Sequence, residues 1–154
     1  LDGNSAAIKH FGLSKTPWHS EDEIPYPDVQ NTMAALREKS YQLGIIANQK
    51  PGIAERLETC GLRLFFDVIA SSAEIGYAKP DKTIFENALK LANCTADESV
   101  MVGDRLDNDI IPAKALGMKT VWLKNGLAKY QSSELGEGFA DYQISSLTEL
   151  LQIL

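Results

Sequence analysis

From Ile24 onward the sequence alternates two hydrophobic periods. Stretches with apolar residues three and four positions apart are interleaved with short, compact apolar runs rich in Val and Ile. That alternation constrains the fold more than any compositional figure. A compact apolar run without polar alternation is what a strand buried on both faces requires, and amphipathic helices returning the chain between such strands build a parallel sheet. The expected class is therefore α/β with an open parallel sheet.

The elements can be placed from caps and breakers. Pro25-Tyr26-Pro27-Asp28 reads as a turn and N-cap, followed by a helix with Val29, Met33 and Leu36 on its apolar face. Residues 41–47 (YQLGIIA) read as a strand buried on both faces, bounded by Asn48-Gln49-Lys50. Pro51 suits the first turn of a second helix, whose apolar face is Ile53, Leu57 and Cys60 and which Gly61 closes. Residues 67–70 form a second strand leaving through Ser71-Ser72, and a loop then reaches Lys79-Pro80. Asp81 caps a helix burying Ile84, Phe85, Ala88, Leu89 and Ala92. Val100-Met101-Val102 is a third strand ended by Gly103-Asp104, and Asp107 or Asn108 caps the helix that runs to Gly117. Residues 118–123 are a fourth strand, 124–140 a polar, Gly-rich stretch, 142–144 a last strand and 146–154 a last helix.

Composition narrows the function. The 154 residues, 44% of them apolar and 23% charged, are the size of one ordinary domain with enough apolar side chains for a real core. Fifteen Lys and Arg against 21 Asp and Glu give a net charge of −6 with no basic cluster, so no nucleic-acid partner is expected. The apolar runs are far too short to span a bilayer and no secretory-type apolar region opens the sequence; no membrane role is expected. Cys60 and Cys94 lack metal or disulfide spacing and read as reduced, packed thiols of a cytoplasmic protein. His10 and His19 stand in a polar stretch without companion ligands and are given no metal role.

In open parallel sheets, ligands bind at the carboxyl ends of the strands. There this chain delivers Asn48, then Ser71 and Ser72 leading to Lys79, then Gly103 and Asp104 with Asp107 and Asp109 beyond. Clustered carboxylates suit Mg²⁺, which takes one or two protein carboxylates and fills its shell with water and phosphate oxygens. A lysine and helix-start N–H groups suit a phosphoryl group, so phosphate-ester chemistry is the natural expectation. Each residue also has a plainer reading. Asp104 and Asp109 could cap the following helix, Lys79 could be a solvated loop lysine, and Asn48 either ends its strand by bonding to the turn or contacts a ligand.

Asn48 within IIAN, Lys79-Pro80-Asp81 and residues 102–109 (VGDRLDND) resemble, in order and spacing, the second, third and fourth motifs of the haloacid dehalogenase (HAD) superfamily of hydrolases. The resemblance runs over about residues 24–126 and is to the phosphatase-like subfamily with a helical cap inserted near the N-terminus. It implies a Rossmann-like core, with Asp104 as a direct Mg²⁺ ligand and Asp109 as an outer-shell carboxylate. Lys79 would be the cation holding both nucleophile and substrate phosphate. Positions 47 and 48 would contribute to phosphate binding, although Ala47 stands where the family usually has Thr or Ser. The family's first motif, DxDx(T/V), is not found; Leu1-Asp2-Gly3-Asn4 is only partly similar to its tail. Residues 1–23 are accordingly expected to be the end of the cap and 24–154 the core, with the first strand and its nucleophilic Asp upstream of Leu1.

The implied function is a Mg²⁺-dependent phosphomonoesterase of small phosphorylated metabolites acting through an aspartyl-phosphate. The alternatives are a non-catalytic α/β module that binds metal or a partner, and a 2-haloacid dehalogenase, against which the two retained aspartates argue. A response-regulator receiver is set aside because its acidic pair follows its first strand and its lysine its last. Substrate identity and oligomeric state are not legible in these residues.

Overall fold

The computed structural model describes residues 24–126, 128 and 138–154. The expected cap segment, residues 1–23, and most of the Gly-rich stretch lie outside the described residues. The first helix, α1 (Val29–Glu38), buries Thr32, Met33 and Leu36. Asp28 does not cap it: the Asp28 carboxylate instead accepts from the backbone N–H (3.1 Å) and hydroxyl (3.2 Å) of Thr148, a tertiary partner that displaces the local one. Strand β1 (Gly44–Ala47) leads to α2 (Ile53–Thr59). Gly52, at φ 89°, turns the chain into α2, so Pro51 precedes the helix instead of opening its first turn.

Strand β2 (Val68–Ser71) runs into the short α3 (Ser72–Ile75). The long helix α4 (Lys82–Ala92) is capped as expected, the Asp81 carboxylate accepting from the Thr83 N–H at 2.9 Å. Strand β3 (Val100–Gly103) is followed by a π-helical turn (Leu106–Ile110) and α5 (Ile111–Ala115). Neither Asp107 nor Asn108 caps this segment: the turn opens at Arg105, whose guanidinium takes the Asp107 carboxylate. Strands β4 (Lys119–Leu123) and β5 (Tyr142–Ile144) follow. The last helix starts as a 3₁₀ turn (Leu147–Glu149), fixed by a capping box between Ser146 and Glu149, and continues as α6 (Leu150–Ile153).

All pairings are parallel, as expected, but among the described residues they form two sheets. One is β1–β2, with Gly44 opposite Val68 and Ala47 opposite Ser71; the other is β3–β4–β5, with Val100 opposite Lys119 and Val121 opposite Tyr142. Two helices span both. Helix α4 carries Ile84, Phe85 and Ala88 into a cluster that joins Ala70 of β2 to Met101 of β3 and Ala113 of α5. On the other face, Met33 and Leu36 of α1 pack with Val121, Leu123, Ile144 and Leu150.

Between the two sheets lies a cavity of about 520 Å³. Gly44, Ile45 and Ile46 of β1 line it, with Val100 to Gly103 of β3, Met33 and Leu36 of α1, and Ala88, Leu89 and Ala92 of α4. Burial follows from it. β2 and β4 are mostly buried, whereas β1 and β3, which flank the cavity, are mostly half-exposed. The expectation that residues 41–47 would be buried on both faces is thus corrected. The strand is shorter and is an edge strand of the described sheet, with its open side on the cavity.

No helix among the described residues is long and apolar enough to cross a membrane. The packing makes a direct prediction. Phe85 is fully buried in the cluster that bridges the two sheets, so Phe85→Ala should cost about 3–5 kcal/mol of unfolding free energy. Leu91→Ala, at an exposed position of the same helix, should stay within about 0.5 kcal/mol, both read by urea denaturation.

Candidate active site

The carboxyl ends of β1 and β3 and the loop after β2 bring Asn48, Lys79, Asp104 and Asp109 into one neighbourhood. Asn48 immediately follows β1. Its amide nitrogen donates to the Lys79 carbonyl at 2.8 Å, and its amide oxygen accepts the Lys79 N–H at 2.6 Å. The Lys79–Pro80 peptide is cis. From that root the Lys79 side chain reaches Asp109, with Nζ 2.6 Å from Oδ1; the two side chains are only 13% and 5% exposed. The second carboxylate oxygen of Asp109 accepts the Arg105 N–H at 3.0 Å, so a buried charge pair has hydrogen bonds on both carboxylate oxygens.

Gly103 is what lets Asp109 lie there. A Cβ on Gly103 would fall 2.6 Å from Asp109 Oδ2 and 2.7 Å from its Cγ, distances no side chain accommodates. Asp104 comes next, at the strand end, with its carbonyl accepting the indole N–H of fully buried Trp122 at 3.0 Å. Lys79, Gly103, Asp104 and Asp109 all line the cavity between the half-sheets, which therefore opens onto the site. The Tyr26 phenol borders the same region: burial first, then the charges of Asp104 and Asp28, raise its pKa above the ordinary tyrosine value. In the turn after β3, the Asp107 carboxyl is held below its usual range chiefly by hydrogen bonds from the Arg105 guanidinium.

Of the residues singled out in the sequence, Asn48, Lys79 and Asp109 are joined directly, and Asp104 lines the same cavity. Ala47 ends β1 and contributes no polar side-chain atom. Sequence reasoning passes over Trp122 and over Arg56, whose guanidinium donates to the Lys50 and Pro51 carbonyls in the loop after β1. The one usable sign was Gly103, a glycine at a strand end before an acidic cluster, where close approach to the backbone is a standing possibility.

The donor set can be tested against a hard divalent cation. Both Asp109 oxygens are engaged, by Lys79 and by the Arg105 N–H, and Asp104, at the end of β3, lines the same cavity. Among the described residues no group of three His, Cys, Asp or Glu could hold a metal. A cation that accepts one or two carboxylates and completes its shell with water and phosphate oxygens fits this set; one that needs an all-protein cage does not.

The sequence pattern of the haloacid dehalogenase-like hydrolases matches residues 7–123. The chain belongs to that family. It is 40% identical over 134 residues to the glyceraldehyde 3-phosphate phosphatase of Methanocaldococcus jannaschii, covering 84% of this chain and 56% of that protein. It is 38% identical over 133 residues to a pyrimidine 5′-nucleotidase of Escherichia coli, again with 84% and 56% coverage. A HAD phosphatase from Thermococcus onnurineus superposes with a TM-score of 0.77 at 29% identity, covering 97% of this chain and 69% of that one. The chain spans about half the length of the curated relatives it matches.

The Gly103–Asp109 contact gives the prediction of this section. Gly103→Ala should force the Asp109 carboxylate off the strand and destabilise the protein by about 1–3 kcal/mol, measured by thermal and urea unfolding. An unchanged Tm would contradict this account of why position 103 has no side chain.

Proposed function

We propose that the whole protein is a Mg²⁺-dependent phosphomonoesterase that works through an aspartyl-phosphate on a small phosphorylated metabolite. One observation carries the reading: Lys79, Asp104 and Asp109 converge at the mouth of a cavity bounded by two strand edges and two helices. Edge strands with open sides invite a further strand. A parallel strand seated in this cavity would deliver its last residues to Lys79 and Asp104, and there the nucleophilic aspartate of the family's first motif belongs.

The chemistry follows from that placement. A carboxylate oxygen of the arriving aspartate attacks phosphorus, the bond from phosphorus to the ester oxygen breaks, and a second carboxyl of the motif gives its proton to the departing oxygen. Water then attacks the phosphorus of the acyl phosphate, returns a proton to that second group and frees inorganic phosphate. Splitting one difficult displacement into two lowers the barrier of each. Lys79 supplies fixed positive charge at the transferring phosphoryl group from a largely buried position, where its field is least screened. Asp109 holds the Lys79 ammonium in place. Asp104 would hold Mg²⁺ directly, with Asp109 in the outer shell, and the bound ion would neutralise charge on the phosphoryl oxygens.

The relatives' names, one for a triose phosphate and another for a nucleotide, support a substrate among small phosphate monoesters. Two such different leaving groups on similar cores are consistent with substrate choice lying outside the residues that hold the phosphate. Asp104→Asn in the full-length protein should bring Mg²⁺-dependent hydrolysis of an aryl phosphate down to the level seen with excess chelator. Retained metal-dependent turnover in that variant would overturn the assignment, and absence of turnover in the parent protein would favour a non-catalytic module.

A further inference from the structure

Asn48 stands at the end of β1, where the family resemblance would have it touch the substrate. Yet its amide is already committed to one residue: Nδ2 to the carbonyl and Oδ1 to the N–H of Lys79, 31 positions away. Both groups of the amide are used, and both are used on main chain. An amide is the side chain for such a task, since it carries a donor and an acceptor side by side; a carboxylate has no donor.

The loop that carries Asn48 is itself clamped. The Ser72 hydroxyl accepts the Gln49 N–H at 3.1 Å and donates to the Gln49 carbonyl at 3.3 Å. Arg56 donates to Gln49 Oε1 (3.2 Å) and to the carbonyls of Lys50 (3.3 Å) and Pro51 (3.2 Å). A continuous chain of hydrogen bonds thus runs from α2 and α3 through the loop after β1 to the main chain of Lys79.

We propose that Asn48 is a positioning residue: it fixes the root of Lys79 through the Lys79 main chain, while Asp109 fixes the ammonium. A lysine stem has four carbons and about 2 kcal/mol of rotamer entropy, so anchoring the ammonium alone leaves the backbone beneath it free to shift. Anchoring both ends places the charge. The inference rests on the reading of Lys79 as the phosphate-holding cation, but the positioning itself can be measured without turnover.

The test uses the full-length protein and three readouts: hydrogen exchange at the Lys79 amide by NMR, trace acetylation of Lys79 against the exposed Lys90, and steady-state hydrolysis of an aryl phosphate. In Asn48→Ala, Lys79 amide protection should fall by about fivefold or more, the loss of one hydrogen bond. Acetylation of Lys79 should rise relative to Lys90. The kcat/KM value should fall about 10²-fold, with KM raised, the scale of a misplaced positioning contact. Ser72→Ala, which loosens the loop without touching Lys79, should shift all three readouts the same way by less. Unchanged exchange and acetylation at Lys79 in both variants would overturn the inference whatever the kinetics. A parent protein with no hydrolysis would defeat the functional reading while leaving the Lys79 measurements to decide the positioning.

Discussion

The Lys79–Asp109 ion pair joins parts of the molecule that backbone hydrogen bonds do not. Among the described residues no ladder links β1–β2 to β3–β4–β5, and the two half-sheets are held together by side-chain packing, above all on α1 and α4, and by side-chain hydrogen bonds, of which this buried pair is one. The helices supply apolar contact along the faces. The pair supplies a directional tie at the carboxyl ends, where the candidate site residues are. Buried ion pairs contribute little net stability, because desolvation offsets most of the attraction, but removing one partner strands a buried charge at a cost of about 3–5 kcal/mol. The contribution of this pair is therefore specificity of placement: a single geometry that brings a lysine from one half and an acidic strand end from the other within reach of one ligand.

That tie explains the local sequence on both sides. Asp109 can meet Lys79 only if it lies against β3, which requires glycine at 103, and only if the chain turns back at once, which the π-helical turn over Leu106–Ile110 achieves. The Asp109 N–H donates to the Arg105 carbonyl at 2.8 Å while its carboxylate accepts the Arg105 N–H, so the same two residues close the turn and orient the charge. Trp122 then fixes the main chain at Asp104 from the neighbouring strand. A strand end, a turn and a buried indole thus cooperate to hold two carboxylates at the cavity.

Much of this was legible in the sequence. The alternation of periods gave the five strands and their parallel arrangement, and strand 142–144 was placed to the residue. Asp81 was recognisable as a cap because its partner, Thr83, is two positions away. Part of what failed had distant partners. Asp28 was lost to Thr148, 120 positions on, and the half-exposure of β1 depends on which strand lies beside it. The site shows the same division. The residue types at strand ends could be read directly, whereas the pairing of Asn48 with Lys79 and of Lys79 with Asp109 spans 31 and 30 positions and exists only once the chain has folded.

The alanine at position 47 sharpens what those pairings must accomplish. In the family pattern a hydroxyl stands there; here a methyl group faces the same side of the half-sheet as Ser71, its register partner, whose own hydroxyl is fully buried and finds no hydrogen-bond partner among the described residues. Position 47 can offer a phosphoryl oxygen nothing beyond its main chain. In the proposed reaction this chain's own contacts to phosphate then fall on backbone N–H groups, whose place is set by the clamped loop after β1, and on the Lys79 ammonium, beside the Mg²⁺ that Asp104 would hold. A site that relies on fewer contacts tolerates less movement in each of them. The double anchoring of Lys79, at its main chain by Asn48 and at its charge by Asp109, is the arrangement such a site needs.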